Sequence, residues 1–241
     1  MNREEIMQSG VLLIDKEPDM TSHDVVAIAR RSLGIRKIGH CGTLDPMATG
    51  LLMLVVGKAT KIQDLLMSED KEYVGTLTLG VTTSTQDKQG EVVEERDSSG
   101  VTEEQVRGVF GEYTGEFEQI PPMVSAIKKD GVPLYKLARK GQEVKRDPRP
   151  VYVTGYEISR MDFPEVDFVV NCSKGFYVRT YAHDIGGKLG CGAHLSALRR
   201  TRSGKFTLER SITVSQLKEG DRQELLNSMV SLAEISLMRG A

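Results

Sequence analysis

The feature that most constrains the fold is a glycine-rich loop joined directly to an apolar run. Residues 39–50 contain three glycines and a proline, which argue against a regular helix or strand across them. Residues 51–56 (Leu-Leu-Met-Leu-Val-Val) follow at once and are typical of a buried strand. The loop also carries His40, Thr43 and Asp45. We therefore expect a carboxylate at the mouth of the protein core.

The other sequence patterns mix helices and strands without a strict β-α-β rhythm. Thr21, with Asp24 three residues later, predicts a capped helix that ends at Gly34. The mixture predicts an α+β fold with a mixed, largely antiparallel central sheet flanked by helices and loops. Further helices are predicted at residues 59–67, from residue 102 onward and at 134–140, and strands at 11–14, 51–56, 72–79, 151–158 and 166–172.

The length of the chain predicts one large domain. Its 241 residues are enough to bury one sizeable core, and no internal repeat or low-complexity linker interrupts them. We expect the main domain to cover residues 1–211. Residues 212–241 are then a separate and weaker C-terminal segment.

Composition argues against a membrane protein, a secreted protein and a metalloprotein. No apolar run approaches the roughly 20 residues of a membrane span, and the first residues do not resemble a secretory signal. The three cysteines have unrelated spacings, and no Cys-x-x-Cys or His-x-x-x-His pair offers a zinc site. We expect a cytoplasmic protein with reduced thiols and no bound metal.

Charge is unevenly distributed along the chain, although the net charge is only −2. Residues 128–149 hold eight lysines and arginines against three acidic residues, and residues 199–210 hold five against one. Residues 84–118 hold ten acidic residues against three basic ones. Basic stretches attract phosphate, but most charged runs are solvated faces. The pattern therefore favours a nucleic-acid partner only modestly.

Asp45 has two interpretations when only its surroundings are considered. Pro46 restricts Asp45 to an extended backbone, and the neighbouring glycines permit close approach of another group. In one interpretation the carboxylate merely accepts hydrogen bonds from nearby amides in a turn. In the other it acts on a ligand.

The order of the residues around Asp45 favours the second interpretation. Gly-His-Cys-Gly-Thr-Leu-Asp-Pro-Met-Ala-Thr-Gly-Leu-Leu (residues 39–52) closely resembles the catalytic motif of the TruB family, the tRNA pseudouridine-55 synthases. The resemblance extends over residues 10–212, most of the chain, in the family's order. Further segments that resemble family motifs lie at residues 15–26, 71–73, 119–141, 172–180 and 194–201.

The resemblance implies an isomerase that converts uridine to pseudouridine at position 55 in the T loop of tRNA. Such an enzyme flips the base out of the RNA and cleaves its N-glycosidic bond. The implied fold is the pseudouridine synthase fold with a central RNA-binding cleft. No cofactor is expected, because the isomerisation involves no redox step. We expect a monomer that needs tRNA but no obligate protein partner.

The same resemblance assigns roles to individual residues. Asp45 would be the catalytic carboxylate, and Arg179 would hold it ionised and oriented. Tyr73 would stack on the target base, His40 would stack against neighbouring bases or in the vacated space, and Leu198 would form an apolar wall. The candidate RNA contacts are Lys128, Arg139, Arg199, Arg200 and Arg202.

Three positions, Asp19, Ser84 and Val124, depart from the family pattern, and so does the end of the chain. Ser84 stands where the family commonly has an aspartate, so the loop around it is expected to lack that carboxylate. The 29 residues after Ile212 are too few for the C-terminal PUA domain that many bacterial members carry. Either this member binds tRNA mainly through its catalytic domain, or the chain is shortened.

Two rival functions belong to other classes. A non-catalytic RNA-folding protein could use the same cleft, but the presence of Asp45, Tyr73 and Arg179 favours an enzyme, with RNA folding as an accompanying activity. A nucleotide-binding enzyme is suggested by Gly-Lys-Ala-Thr at residues 57–60. The spacing of the upstream Gly50 does not match a phosphate-binding loop, which excludes this second rival.

Overall fold

The computed structural model of the protein describes residues 8–240. The α-helices are α1 (Ser22–Leu33), α2 (Gln63–Met67), α3 (Glu103–Glu112), α4 (Leu134–Ala138), α5 (Val178–Leu189), α6 (Val214–Glu219), α7 (Arg222–Asn227) and α8 (Leu232–Arg239), with 3-10 helices at Gly57–Ile62 and Leu208–Arg210. The strands are β1 (Gly10–Lys16), β2 (Ile38–Cys41), β3 (Thr49–Val56), β4 (Lys71–Leu79), β5 (Val81–Thr83), β6 (Val92–Glu95), β7 (Gly115–Gln119), β8 (Lys128–Lys129), β9 (Val132–Pro133), β10 (Arg149–Asp162), β11 (Glu165–Cys172), β12 (Ala193–Ser203), β13 (Phe206–Thr207), β14 (Ile212–Thr213) and β15 (Val230–Ser231).

The chain forms two compact units, and the first combines both ends of the sequence, up to Glu72 and from Arg199 onward. Its central strand is β3, which pairs antiparallel with β1 from Gly50 to Val56 and with β2 over its second half. The first residues of β3 also pair in parallel with β12, where Arg200 lies opposite Gly50. Seven of the eight residues of β3 are buried, as the apolar run predicts.

Helix α1 of this unit has the ends that the sequence predicts. The Thr21 side chain accepts a hydrogen bond from the Asp24 amide, and the Asp24 carboxylate accepts one from the Thr21 amide. Gly34 ends the helix with a left-handed backbone (φ 66°), which glycine adopts without a Cβ clash. The buried face of the helix includes Val25 and Ala29. The helix is therefore fixed at its N-terminus, where Ser22 bonds to the backbone of the Asp45 loop.

The C-terminal segment belongs to the first unit. Strand β14 pairs in parallel with β1, and β15 pairs antiparallel with the start of β1. Helices α6 and α7 contact α1. The expected boundary at residues 211–212 therefore does not coincide with a division between the compact units. The described part of the segment contains several short helices and strands.

The second unit, Tyr73–Leu198, is built on an antiparallel hairpin of β10 and β11. Strand β7 extends it through antiparallel pairing with β10, and β4 neighbours β11. Helices α3 and α5 pack against each other. The aromatic core of this unit contains Phe110, Phe168 and Tyr181, with ring centroids 5.6–6.0 Å apart in edge-to-face arrangements.

The described elements confirm the predicted α+β class. The strand pairs are largely antiparallel, with the parallel pairs β1–β14 and β3–β12. In residues 8–240, none of the helices is long and apolar enough to cross a membrane.

Candidate active site

Asp45 lies in a tight loop between β2 and β3. The Ala48 amide donates to the Asp45 carbonyl (3.0 Å), which closes a turn around Pro46. The side chains of Leu44 and Ala48 are buried on either side, whereas Asp45 is half-buried. The loop therefore points apolar side chains into the core and leaves a carboxylate at its edge, as the sequence predicts.

The N-terminus of α1 fixes the first half of this loop. Ser22 Oγ donates to the Leu44 carbonyl (3.1 Å) and accepts from the Leu44 amide (2.9 Å). The Asp19 amide donates to the Pro46 carbonyl (2.9 Å). These bonds satisfy backbone groups of Leu44 and Pro46, the two sequence neighbours of Asp45.

Lys16 is a site residue to which the sequence analysis assigned no role. Its side chain is 1% exposed, and Nζ donates to the carbonyls of Glu17 (2.8 Å), Pro46 (3.2 Å) and Ala48 (2.7 Å). Burial lowers the pKa of Lys16 to about 8, although the negative charge of Asp45 opposes the shift. Lys16 thus places a buried cation beneath the Asp45 turn. The signal available in the sequence was a lone lysine at the end of an apolar strand.

Arg200 does not fit the predicted role of an RNA contact. Its side chain is 1% exposed, Nε donates to the Leu51 carbonyl (2.7 Å) and Nη2 donates to the Gly42 carbonyl (3.1 Å). The guanidinium is directed into the first unit because β12 alternates its side chains between two faces. Its neighbours in sequence lie on the opposite, more exposed face.

Arg199 and Arg202 are partly exposed cations that already have acidic partners. Arg199 forms a two-bond ion pair with Asp15, at 3.0 and 2.7 Å from the two carboxylate oxygens. Arg202 Nε lies 3.9 Å from a carboxylate oxygen of Glu72. Contact of either arginine with a phosphate would require sharing or exchanging these partners.

His40 lies on β2 and is half-buried. Burial, together with the charges of His23 and Arg200, lowers the pKa of His40 to about 4. The ring is therefore neutral at neutral pH. Its centroid lies 5.5 Å from that of His23 in an edge-to-face arrangement. A neutral aromatic ring is suited to stacking on a base, which is the role that the resemblance implies.

In the second unit, Arg179 is held from several directions at the start of α5. Its side chain is 2% exposed, and it donates to the carbonyls of Thr85 (2.9 Å) and Val124 (2.8 Å). Its Nε lies 3.6 Å from a carboxylate oxygen of Asp87. The guanidinium is therefore fixed by two loops of this unit.

Asp87 is a second residue that the sequence analysis missed. It is 5% exposed, and its Oδ1 accepts from Thr85 Oγ1 (2.6 Å) and from the Gln89 amide (3.0 Å). Ser84 itself carries no carboxylate, and Asp87 supplies one to the same loop three residues later. The aspartate-centred turn before Gly90 was the available signal.

Tyr73 and Leu198 are both 8% exposed in the second unit, on β4 and β12. Alternation along β4 places Tyr73 on the buried face with Leu77 and Leu79. Lys128 and Arg139 are exposed, and the Arg139 guanidinium lies 5.5 Å from the ring centroid of Tyr135. The first unit thus holds Asp45, His40, Arg199, Arg200 and Arg202, and the second holds Tyr73, Arg179, Leu198, Lys128 and Arg139.

The three cysteines lie in the interior of the protein. Cys41, Cys172 and Cys191 are buried thiols, and burial raises the pKa of Cys41 to about 12. Within residues 8–240, no group of three or more His, Cys, Asp or Glu side chains is arranged to hold a metal ion.

Comparison with known proteins agrees with this fold. The chain is 32% identical to a chain in the crystal structure of a Cbf5-Nop10-Gar1 complex, with a TM-score of 0.74 over 99% of this chain and 64% of that one. It is 54% identical over 209 residues to tRNA pseudouridine synthase B of Opitutus terrae, covering 87% of each chain. It is 49% identical over 224 residues to the protein of that name from Syntrophotalea carbinolica, covering 92% of this chain and 73% of the relative.

Two family models match consecutive parts of the chain. Residues 30–178 match "TruB family pseudouridylate synthase (N terminal domain)" and residues 179–237 match "tRNA pseudouridylate synthase B C-terminal domain". Together with the fold and the fixed Gly-Thr-Leu-Asp-Pro loop, these matches define the class as the pseudouridylate synthases. Within that class, the chain belongs to the TruB family.

Proposed function

We propose that the protein isomerises uridine to pseudouridine at position 55 in the T loop of tRNA. Relatives that carry the name tRNA pseudouridine synthase B are 54% and 49% identical to most of this chain. The observation that carries the proposal is the Asp45 loop, which matches the family motif and holds a half-buried carboxylate between fixed backbone groups. We place the reaction in the cytoplasm and expect a monomer that requires no protein partner.

The reaction exchanges one bond to the sugar for another. The bond between C1′ and N1 of uridine breaks, the base rotates, and a bond forms between C1′ and C5. The proton on C5 is released, and N1 gains one, so the mass of the nucleotide is unchanged. A carboxylate beside an electron-deficient sugar carbon stabilises or captures it, as in glycosidases. Asp45 is the proposed carboxylate.

Tyr73, Arg179 and Leu198 are proposed to act on the same uridine. In the proposal, Tyr73 stacks on the base, Leu198 provides an apolar wall, and the Arg179 guanidinium keeps the Asp45 carboxylate ionised. Guanidinium groups suit this role because they remain charged and direct several N–H donors at carboxylates. The extensive bonding of Arg179 within its own unit supports a fixed orientation for the group.

Binding is proposed to precede catalysis by flipping the target base out of the folded tRNA. The neutral ring of His40 is suited to stacking against neighbouring bases. Exposed cations such as Lys128 and Arg139 are proposed to contact the phosphate backbone, together with Arg199 and Arg202. An accompanying RNA-folding activity is compatible with base flipping, and retention of that activity by a catalytically inactive variant would support it.

The test measures pseudouridine at position 55 of an unmodified tRNA transcript. Because the product has the same mass as the substrate, nucleoside chromatography or a pseudouridine-selective chemical label is the readout. We expect product with the wild-type protein and with the control Asp64→Asn, whose carboxylate is exposed in the same unit. We expect none with Asp45→Asn, and none on a transcript with cytidine at position 55. Product at other uridines only would contradict the proposed site of action.

A further inference from the structure

Arg200 has the largest fully buried side chain among residues 8–240. Among the described residues, no carboxylate forms an ion pair with it, and its guanidinium donates to two backbone carbonyls. A buried cation without a counter-charge is costly, so its retention needs a compensating role. The identity of its two acceptors indicates that role.

The two acceptors lie on either side of Asp45 in the chain. Gly42 directly follows β2, and Leu51 lies near the start of β3. Nε reaches the Leu51 carbonyl at 2.7 Å, and Nη2 reaches the Gly42 carbonyl at 3.1 Å. One planar guanidinium therefore links the two ends of the loop that carries the proposed catalytic carboxylate.

The backbone of Arg200 constrains the same loop. Arg200 lies opposite Gly50 in the parallel pairing of β12 with β3. Gly50 has a φ of 94°, and a Cβ at this position would lie 2.3 Å from the Arg200 carbonyl oxygen. The loop end can approach this strand only because residue 50 is glycine.

We propose that Arg200 is a positioning residue that holds the Asp45 loop in its reactive geometry and does not bind RNA. This inference rests on the proposed function. The planar fork of arginine donates to the two carbonyls from two separate nitrogens, whereas lysine would have to reach both from the single nitrogen of a differently shaped side chain. Small displacements of a reacting group reduce rates strongly, so loss of this link lowers the chemical rate.

The alternative role, contact with an RNA phosphate, predicts a different kinetic pattern. Loss of a phosphate contact raises the Kd for tRNA and lowers the slope of log Kd against log salt concentration by about one. The rate at saturating enzyme is then unchanged. Loss of a positioning residue lowers that rate and leaves the Kd and its salt dependence unchanged.

The experiment compares Arg200→Met, Arg200→Lys and the control Arg210→Met, whose guanidinium is half-exposed and paired with Glu234. Single-turnover pseudouridine formation at saturating enzyme gives the rate, and filter binding at two salt concentrations gives the Kd. We expect Arg200→Met to lower the rate by about 10- to 100-fold, with partial rescue in Arg200→Lys and a wild-type rate in Arg210→Met. Thermal melting of each variant shows whether it is folded, and only folded variants are compared.

Three outcomes would overturn the inference. The first is a wild-type rate in folded Arg200→Met, and the second is a raised Kd with an unchanged saturated rate. The third applies if Arg200→Met does not fold: a lowered melting temperature together with a wild-type rate in Arg200→Lys would show a purely structural role. Absence of product with the wild-type protein would instead refute the proposed function, and the positioning role with it.

Discussion

The Asp45 loop and the basic stretch at residues 128–149 are both polar, yet they are built in opposite ways. The loop is held by hydrogen bonds from Ser22, Lys16 and Arg200, and the latter two side chains are 1% exposed. Most of the basic stretch is exposed, including Lys128 and Arg139. The difference separates a region suited to chemistry, which requires fixed geometry, from one suited to a polyanion, which requires charge.

The largest effect is expected at the fixed region. Asp45→Asn keeps the shape of the side chain but removes its charge and nucleophilicity. We expect the single-turnover rate of pseudouridine formation to fall by at least about 10⁴-fold, in the range found when an essential catalytic group is removed. Residual activity within about tenfold of wild type would show that another group carries out the chemistry. The difference drawn between the Asp45 loop and the basic stretch would then not hold.

The second effect concerns the buried ion pair of the other unit. Asp87→Asn leaves the Arg179 guanidinium without its carboxylate neighbour at 3.6 Å. We expect the free energy of unfolding to fall by about 3 kcal/mol, because removing one member of a buried ion pair takes away stabilisation of the other charge. Urea denaturation measures this, with the exposed Asp97→Asn as control. Equal stability of the two variants would show that the Asp87 charge does not stabilise the fold.

The third effect is a pH dependence caused by Lys16. Its folded pKa of about 8 lies below the ordinary value of 10.5, so between these pH values the unfolded chain binds more protons than the folded one. Stability from this group therefore rises with pH in that window, by up to about 1 kcal/mol per pH unit. Lys16→Met should flatten the rise in denaturation experiments, whereas Lys218→Met, at an exposed position, should not. Parallel curves for wild type and Lys16→Met would contradict the depressed pKa.

The smallest effects are expected in the basic stretch. Lys128→Ala and Arg139→Ala should each raise the Kd for tRNA a few-fold and reduce the slope of log Kd against log salt concentration by about one, because each removes one phosphate contact. Filter binding across a salt series measures both quantities. An unchanged salt dependence in both variants would remove this stretch from the proposed RNA-binding surface.

Local sequence signals predicted much of the first unit. The capping box at Thr21, the C-cap at Gly34 and the apolar run of β3 all predicted their elements, because the interactions that define them are local. The burial of Arg200 was missed because Arg199 and Arg202 lie close to it in the sequence, and three nearby arginines are typical of a basic surface. The period-two alternation of a strand would have separated Arg200 from Arg199.

Other elements were missed because long-range packing decides them. Helix α5 contains Gly186 and Gly187, which weaken a helix prediction. At Gly186, a Cβ would lie 2.2 Å from the Ala193 amide nitrogen, so glycine is required by tertiary contact. The short strands β14 and β15 pair with β1, about 200 or more residues away in the sequence, a contact that no local pattern reveals.

The most direct test of the central contrast measures rate and affinity together on one transcript. Asp45→Asn and the double variant Lys128→Ala/Arg139→Ala are compared with wild type by single-turnover pseudouridine formation at saturating enzyme and by filter binding. We predict that Asp45→Asn loses the rate and keeps the wild-type Kd, while the double variant loses affinity and keeps the saturated rate. A loss of both rate and affinity in either variant would contradict the separation of chemistry from binding.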